Sequence, residues 1–184
     1  IDAIARLVND AESALGERAS VGVGTPGSIS RATGRLRGAN SVCLNGRPIR
    51  EDLSRRLGRD VRITNDANCF ALSEAADGAG AGADVVFGVI LGTGGGVVVH
   101  GQVLDGPNGI AGEWGHNPLP WPRDDERPGT VCFCGKLGCI ETFLSGPGLA
   151  RDHRRTTGSD LAPREIIEGV IAGEREMRPF ESDG

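Results

Sequence analysis

One histidine and three cysteines crowd a short stretch of this chain. His116 follows Gly112-Glu113-Trp114-Gly115, and Cys132, Cys134 and Cys139 sit in a glycine-rich loop that runs into Glu141. Three thiolates and an imidazole are a complete tetrahedral ligand set for zinc, and a site closed by the protein alone is usually structural. Gly135 and Gly138 let the backbone turn tightly enough for the thiols to converge. The His-x15-Cys-x-Cys-x4-Cys spacing is not one of the common paired frameworks, so three free thiols are the competing reading. A disulfide scaffold fits poorly. Five cysteines is an odd number, and Cys43 and Cys69 sit far away in apolar surroundings, as expected of core residues. Glu113 and Glu141 lie outside the ligand set and are expected to hydrogen-bond a polar ligand beside the loop.

A length of 184 residues allows one domain or one and a half. The net charge of −5 offers no basic field to nucleic acid. Arg55, Arg56 and Arg59, and likewise Arg151, Arg154 and Arg155, fall in helix-like segments and are expected as solvated faces. No apolar run approaches a membrane span, and the opening Ile1-Asp2-Ala3-Ile4 has no signal-peptide character. A soluble, cytoplasmic protein is expected. Thirty glycines and no tyrosine suit a backbone that wraps closely around a small polar ligand.

Apolar residues at Ile4, Leu7, Val8, Ala11 and Leu15 predict a helix ending at Gly16. Val21 to Gly24 reads as a buried strand broken by Thr25-Pro26-Gly27, and residues 28 to 50 as turn-rich. A helix over Ile49 to Leu57, a strand over Val61 to Thr64 and a helix over Ala67 to Ala76 follow. Val85 to Leu91 is apolar on both faces, which predicts a central strand. Gly92 to Gly96 turns the chain into a return strand, Val97 to Val99. Residues 140 to 156 and 163 to 172 read as helices, ahead of a polar tail from Gly173. Alternating helices and strands make the class α/β. The expected division is residues 1–78 and 79–184, with the cysteine loop, 116–141, in the second part.

Asn65-Asp66 sits where a strand ends and a helix begins, the position at which α/β sheets bind ligands. A carboxylate there can accept a proton from a substrate hydroxyl. The competing role is a helix N-cap, and both can hold. Gly92-Thr93-Gly94 offers backbone N–H groups and a hydroxyl for phosphate oxygens, or is a plain hairpin turn. Neither a Walker loop nor a dinucleotide fingerprint occurs.

Taken together, Gly24-Thr25-Pro26-Gly27, Asn65-Asp66-Ala67-Asn68-Cys69, Leu91-Gly92-Thr93-Gly94, Ala111-Gly112-Glu113-Trp114-Gly115-His116 and the run from Cys132 to Glu141 resemble the ROK family of sugar kinases and sugar-responsive repressors. Ala39-Asn40-Ser41, Leu44-Asn45-Gly46 and Gly115 to Trp121 look most like its fructokinase (manno-fructokinase) branch. The resemblance implies an actin/hexokinase-like fold and transfer of phosphate from Mg-ATP to the 6-hydroxyl of a hexose, with fructose expected first. Asp66 would be the general base. Asn65, Glu113, His116 and Glu141 would hold the other hydroxyls, with Asn40 and the Gly27 backbone as weaker contacts. Gly92, Thr93 and Gly94 would approach the ATP phosphates. His116, Cys132, Cys134 and Cys139 would hold zinc, with His116 using its other ring nitrogen on the sugar. Partners would be hexose, ATP and a second copy of the chain in a homodimer, with neither nucleic acid nor membrane.

Family kinases open with an Asp-x-Gly-Gly-Thr-Lys phosphate loop that is absent from these residues, and the glycine-rich adenosine region is absent too, so a fragment is expected. The turn from Gly92 to Gly96 is also about two residues shorter than in relatives, as the resemblance has it. Two other functions compete: a sugar-sensing repressor with a DNA-binding segment ahead of this one, and an inactive zinc-braced remnant.

Overall fold

In the computed structural model, residues 1–92 and 94–173 are described. Helix α1 (Asp2–Leu15) precedes strands β1 (Val21–Thr25), β2 (Ser28–Ile29) and β3 (Leu36–Arg37). Helix α2 (Ile49–Leu57), strand β4 (Val61–Asn65) and helix α3 (Asp66–Ala76) follow, then strands β5 (Val85–Val89), β6 (Gly95–Val99) and β7 (Gln102–Val103). The last regular elements are α4 (Glu141–Leu144), α5 (Gly146–Thr157) and α6 (Pro163–Ile171). Contacts group these into two compact units, one of Ile1–Ile90 with Gly94–Glu113, the other centred on Trp114 onward. The β5–β7 strands therefore cluster with the first unit, whereas a division at residue 79 would assign them to the second.

In the first unit β1 and β4 run parallel with Val23 opposite Ile63 and Thr25 opposite Asn65. Their carboxyl ends therefore lie side by side. Leu36, Ile49, Leu53, Leu57, Val61 and Ile63 form the core beneath them with Ala5 of α1. Only one stripe of α1 is used: Ile1, Ile4 and Val8 pack on that core while Leu7 and Leu15 face solvent. Residues 28 to 50, expected as turns, include the short β2–β3 hairpin with Ser28 opposite Arg37. Two paired residues on each side are too few to register as alternation in sequence.

Helix α3 packs across β5 and β6. The approach is close because Gly96 carries no side chain: a Cβ there would lie 2.6 Å from the Ala67 carbonyl oxygen. Strand β5 departs from its expected central place. It is the outer strand of the antiparallel order β5-β6-β7, and Val85, Phe87 and Val89 are exposed. Its other face, with Val86 half-buried and Gly88 buried, is the one that meets α3.

The second unit has little regular structure before α4. Between His116 and Glu141 there are a 3-10 turn at Asp124–Glu126 and two isolated bridges, Pro118 with Cys139 and Val131 with Leu137. The helix expected over 140 to 156 is two helices. Ser145 is extended between them, and its hydroxyl accepts from the Gly148 N–H at 3.2 Å, capping α5.

Three further expectations change. Cys43 is exposed, in a 3-10 turn with Val42 also in solvent, and Cys69 is only half-buried, so neither is a core residue. Arg55 and Arg56 are exposed as expected and pair with Asp52 and Asp2, but Arg59 is largely buried against Glu12 at 2.6 Å. Arg151 is part-buried and donates to the Thr142 carbonyl. The tail beyond Gly173 lies outside the described residues. Among the described residues no helix is long and apolar enough to cross a membrane.

Leu53 is 1 % exposed at the centre of the first core. Leu53→Ala should destabilise the protein by about 2–5 kcal/mol, read as a lowered midpoint in urea unfolding.

Candidate functional site

At the paired carboxyl ends of β1 and β4, Asn65 organises the chain. Its Oδ1 accepts from the Ala67 and Asn68 N–H groups at 2.8 and 3.2 Å, so Asn65, and not Asp66, caps α3. Its Nδ2 donates to the Gly27 carbonyl at 3.0 Å. Gly27 has φ +78°, and a Cβ there would fall 2.4 Å from the Arg37 carbonyl oxygen, so only glycine fits the turn. Asp66 follows directly. Its Oδ1 also accepts from the Ala67 N–H, at 2.9 Å, and its side chain is exposed. Burial, and after it the Asp66 carboxylate, holds the Cys69 thiol above its ordinary range.

Asn65 also lines a cleft of about 360 Å³ with Arg50, Ile63, Thr64, Asn68 and Asp105. Asn68 and Asp105 escaped the reading of the sequence. The signal for Asn68 was its place one turn past Asn65, in the first turn of the expected helix; nothing local marks Asp105. Asn40 is exposed, in a loop that the Asn45 amide holds through both the N–H and the carbonyl of Ala39. Glu113 is exposed, its N–H donating to the Ile110 carbonyl. Gly94 accepts from the Ile90 N–H at 2.9 Å where β5 turns into β6. The two strands pair antiparallel with Val89 opposite Gly95. Thr93 lies outside the described residues.

In the second unit the four expected ligands converge. The candidate donor atoms of His116, Cys132, Cys134 and Cys139 all lie within 4.8 Å of one another. Cys132 Sγ is 3.5 Å from His116 Nδ1, and Cys134 Sγ is 3.6 Å from Cys139 Sγ. Metal bonds of about 2.3 Å to sulfur and 2.0–2.1 Å to nitrogen at tetrahedral angles require about 3.6 and 3.8 Å, so these two pairs are spaced as a zinc site needs. Backbone bonds shape the loop: Cys132 N–H to the Lys136 carbonyl at 2.8 Å, Gly135 N–H to Cys132 and Gly138 N–H to Thr130. Burial pushes the Cys139 thiol up to about 11, while the Lys136 N–H lowers that of Cys134. A metal ion would override the first, because coordination deprotonates a thiol outright.

Glu141 sits at the edge of this cluster, its Oε2 3.4 Å from His116 Nδ1 and 3.7 Å from Cys132 Sγ. Its N–H donates to the Gly115 carbonyl at 2.9 Å, which ties the start of α4 to the segment before His116. Phe133 meets the His116 ring edge-on at 4.8 Å.

Among curated proteins, the chain is 45 % identical over 180 residues to an N-acetyl-D-glucosamine kinase of Pectobacterium atrosepticum, covering 95 % of this chain and 59 % of that protein. It is 44 % identical over 173 residues to the same-named enzyme of Salmonella typhimurium, covering 91 % and 57 %. The chain thus spans less than two thirds of the length of these relatives. Among solved structures, a ROK hexokinase from Thermus thermophilus superposes with a TM-score of 0.74 at 34 % identity, covering 94 % of this chain and 56 % of that one. A ROK family glucokinase from Streptomyces griseus, solved with glucose and AMPPNP, gives 0.69 at 27 % identity, covering 94 % and 60 %. The fold is the α/β, actin/hexokinase-like one that the motifs implied. With the family's sequence model matching residues 1–180, the chain belongs to the ROK family.

Proposed function

We propose that the protein transfers the γ-phosphoryl group of Mg-ATP to the 6-hydroxyl of a hexose. The observation that carries this reading is Asp66, an exposed carboxylate at the end of a parallel strand, beside an Asn65 locked to both α3 and the Gly27 turn. Asp66 would take the hydroxyl proton as the oxygen attacks phosphorus. Proton transfer from a positioned side chain contributes about 10²–10⁴ in rate.

Asn65, Glu113, His116 and Glu141 would hold the remaining hydroxyls, with Asn40 and the Gly27 backbone in support. Gly92, Thr93 and Gly94 would approach the phosphates. Magnesium bound with ATP would neutralise charge developing on the transferred group. His116, Cys132, Cys134 and Cys139 would hold a structural zinc. With His116 Nδ1 directed to the metal, Nε2 is left for a sugar hydroxyl, and the braced loop fixes the start of α4 and hence Glu141. A homodimer working in the cytoplasm belongs to the same reading.

For the sugar, the relatives bring a change of order. The motifs around Asn40 and after His116 suggested fructose, whereas the curated proteins at 44–45 % identity are N-acetyl-D-glucosamine kinases. N-acetylglucosamine is therefore the first substrate to test and fructose the second. Coupled-enzyme assays with ATP on the full-length protein should show turnover of at least one of them, and a full-length protein that phosphorylates no hexose would overturn the kinase reading.

Asp66→Asn should lower kcat by at least about a hundredfold while sugar affinity stays within about tenfold, since the lost step is proton transfer. Near-normal kcat in this variant would remove Asp66 from the role of base. Cys134→Ser should lower zinc content, melting temperature and sugar affinity together. A loss of about 2 kcal/mol corresponds to roughly 4–8 °C for a chain of this size, measurable by calorimetry.

A further inference from the structure

Helix α3 carries a second asparagine for which capping offers no explanation. Asn68 is 4 % exposed, and its Nδ2 donates to Asp105 Oδ1 at 3.2 Å. Among the described residues its Oδ1 is buried without a hydrogen-bond partner. Turning the amide over would set Oδ1 against a carboxylate oxygen, two acceptors facing each other, so Asp105 fixes which atom is left over. A buried acceptor left unpaired costs free energy comparable to a hydrogen bond, and native structures rarely leave one without a reason.

The orphaned residue lines the cleft of about 360 Å³ that begins at Asn65, one residue from the proposed base. Ile29 and Ile63 contribute apolar wall to the same cleft, and Asp105 stands at its side. We propose that Asn68 is a specificity-determining contact. Its Oδ1 accepts a hydrogen bond from a neutral donor on the bound sugar, an amide N–H or a hydroxyl, and Asp105 is the positioning residue that aims the amide. An acetamido group matches the lining closely, because it presents one N–H donor for the acceptor and a methyl for the isoleucine wall. A ring hydroxyl would satisfy Oδ1 alone. The inference rests on the sugar-kinase reading and names the group by which that site would sort its substrates.

The test is calorimetric titration of the intact protein with N-acetylglucosamine and with glucose, comparing wild type with Asn68→Leu and Asp105→Ala. Leucine keeps the branching of asparagine but replaces the amide by two bulkier methyls and so removes the acceptor, and melting temperatures show whether each variant is folded. Asn68→Leu should weaken N-acetylglucosamine binding about tenfold. Glucose binding should stay within about twofold if the donor is the amide, and should weaken equally if it is a shared hydroxyl. Asp105→Ala, which frees the amide without removing it, should weaken the same ligand by a smaller factor and keep the variant's fold if Asn68→Leu does not. Unchanged affinity for both sugars in a folded Asn68→Leu variant would overturn the subsite while leaving the kinase reading intact. A wild-type protein that bound neither sugar would overturn both.

Discussion

The convergence of His116 with Cys132, Cys134 and Cys139 is the constraint on which the second unit depends. The described stretch between His116 and Glu141 has one 3-10 turn and two isolated bridges to hold it, with Cys132 and Cys139 as its buried apolar residues. Trp121, Val131 and Phe133 point into solvent. So small an apolar core cannot offset the entropy of ordering such a loop, and metal ligation is the usual substitute. The same geometry reaches beyond stability. His116 is both a candidate ligand and a neighbour of Glu141, 3.4 Å from its Oε2, so what fixes the imidazole also limits where that carboxylate can be.

The first unit solves a different problem with hydrogen bonds. Two parallel strands end together, and one side chain, Asn65, satisfies the first free N–H groups of α3 and clasps the Gly27 turn. Asp66 stays exposed, sharing only the Ala67 N–H with that cap. In the proposed role, a carboxylate that receives a proton would benefit from a rigid support that others supply. Asn68, one turn further along α3, extends the polar surface into the adjoining cleft.

Much of this could be read from the residues. The helices α1, α2 and α3 declared themselves by apolar spacing and glycine stops, β1 and β4 by short apolar runs ending in turn residues, and the converging histidine and cysteines by residue type. What escaped depended on tertiary context. The β2–β3 hairpin is too short for a period to show. The apolar run of β5 suggested burial on both faces, yet one face packs on α3 and the other is exposed in the described residues. Cys43 sits among apolar residues in sequence, but its turn projects into solvent. Asp105 meets Asn68 across 37 positions, a pairing that no local pattern encodes.

The proposed metal bracing of the loop is tested most directly by X-ray absorption at the zinc edge on the purified protein. The account predicts about one zinc per chain, bound by three sulfurs at about 2.3 Å and one nitrogen at about 2.0–2.1 Å. A protein that folds without metal, or holds zinc through oxygen ligands alone, would contradict it.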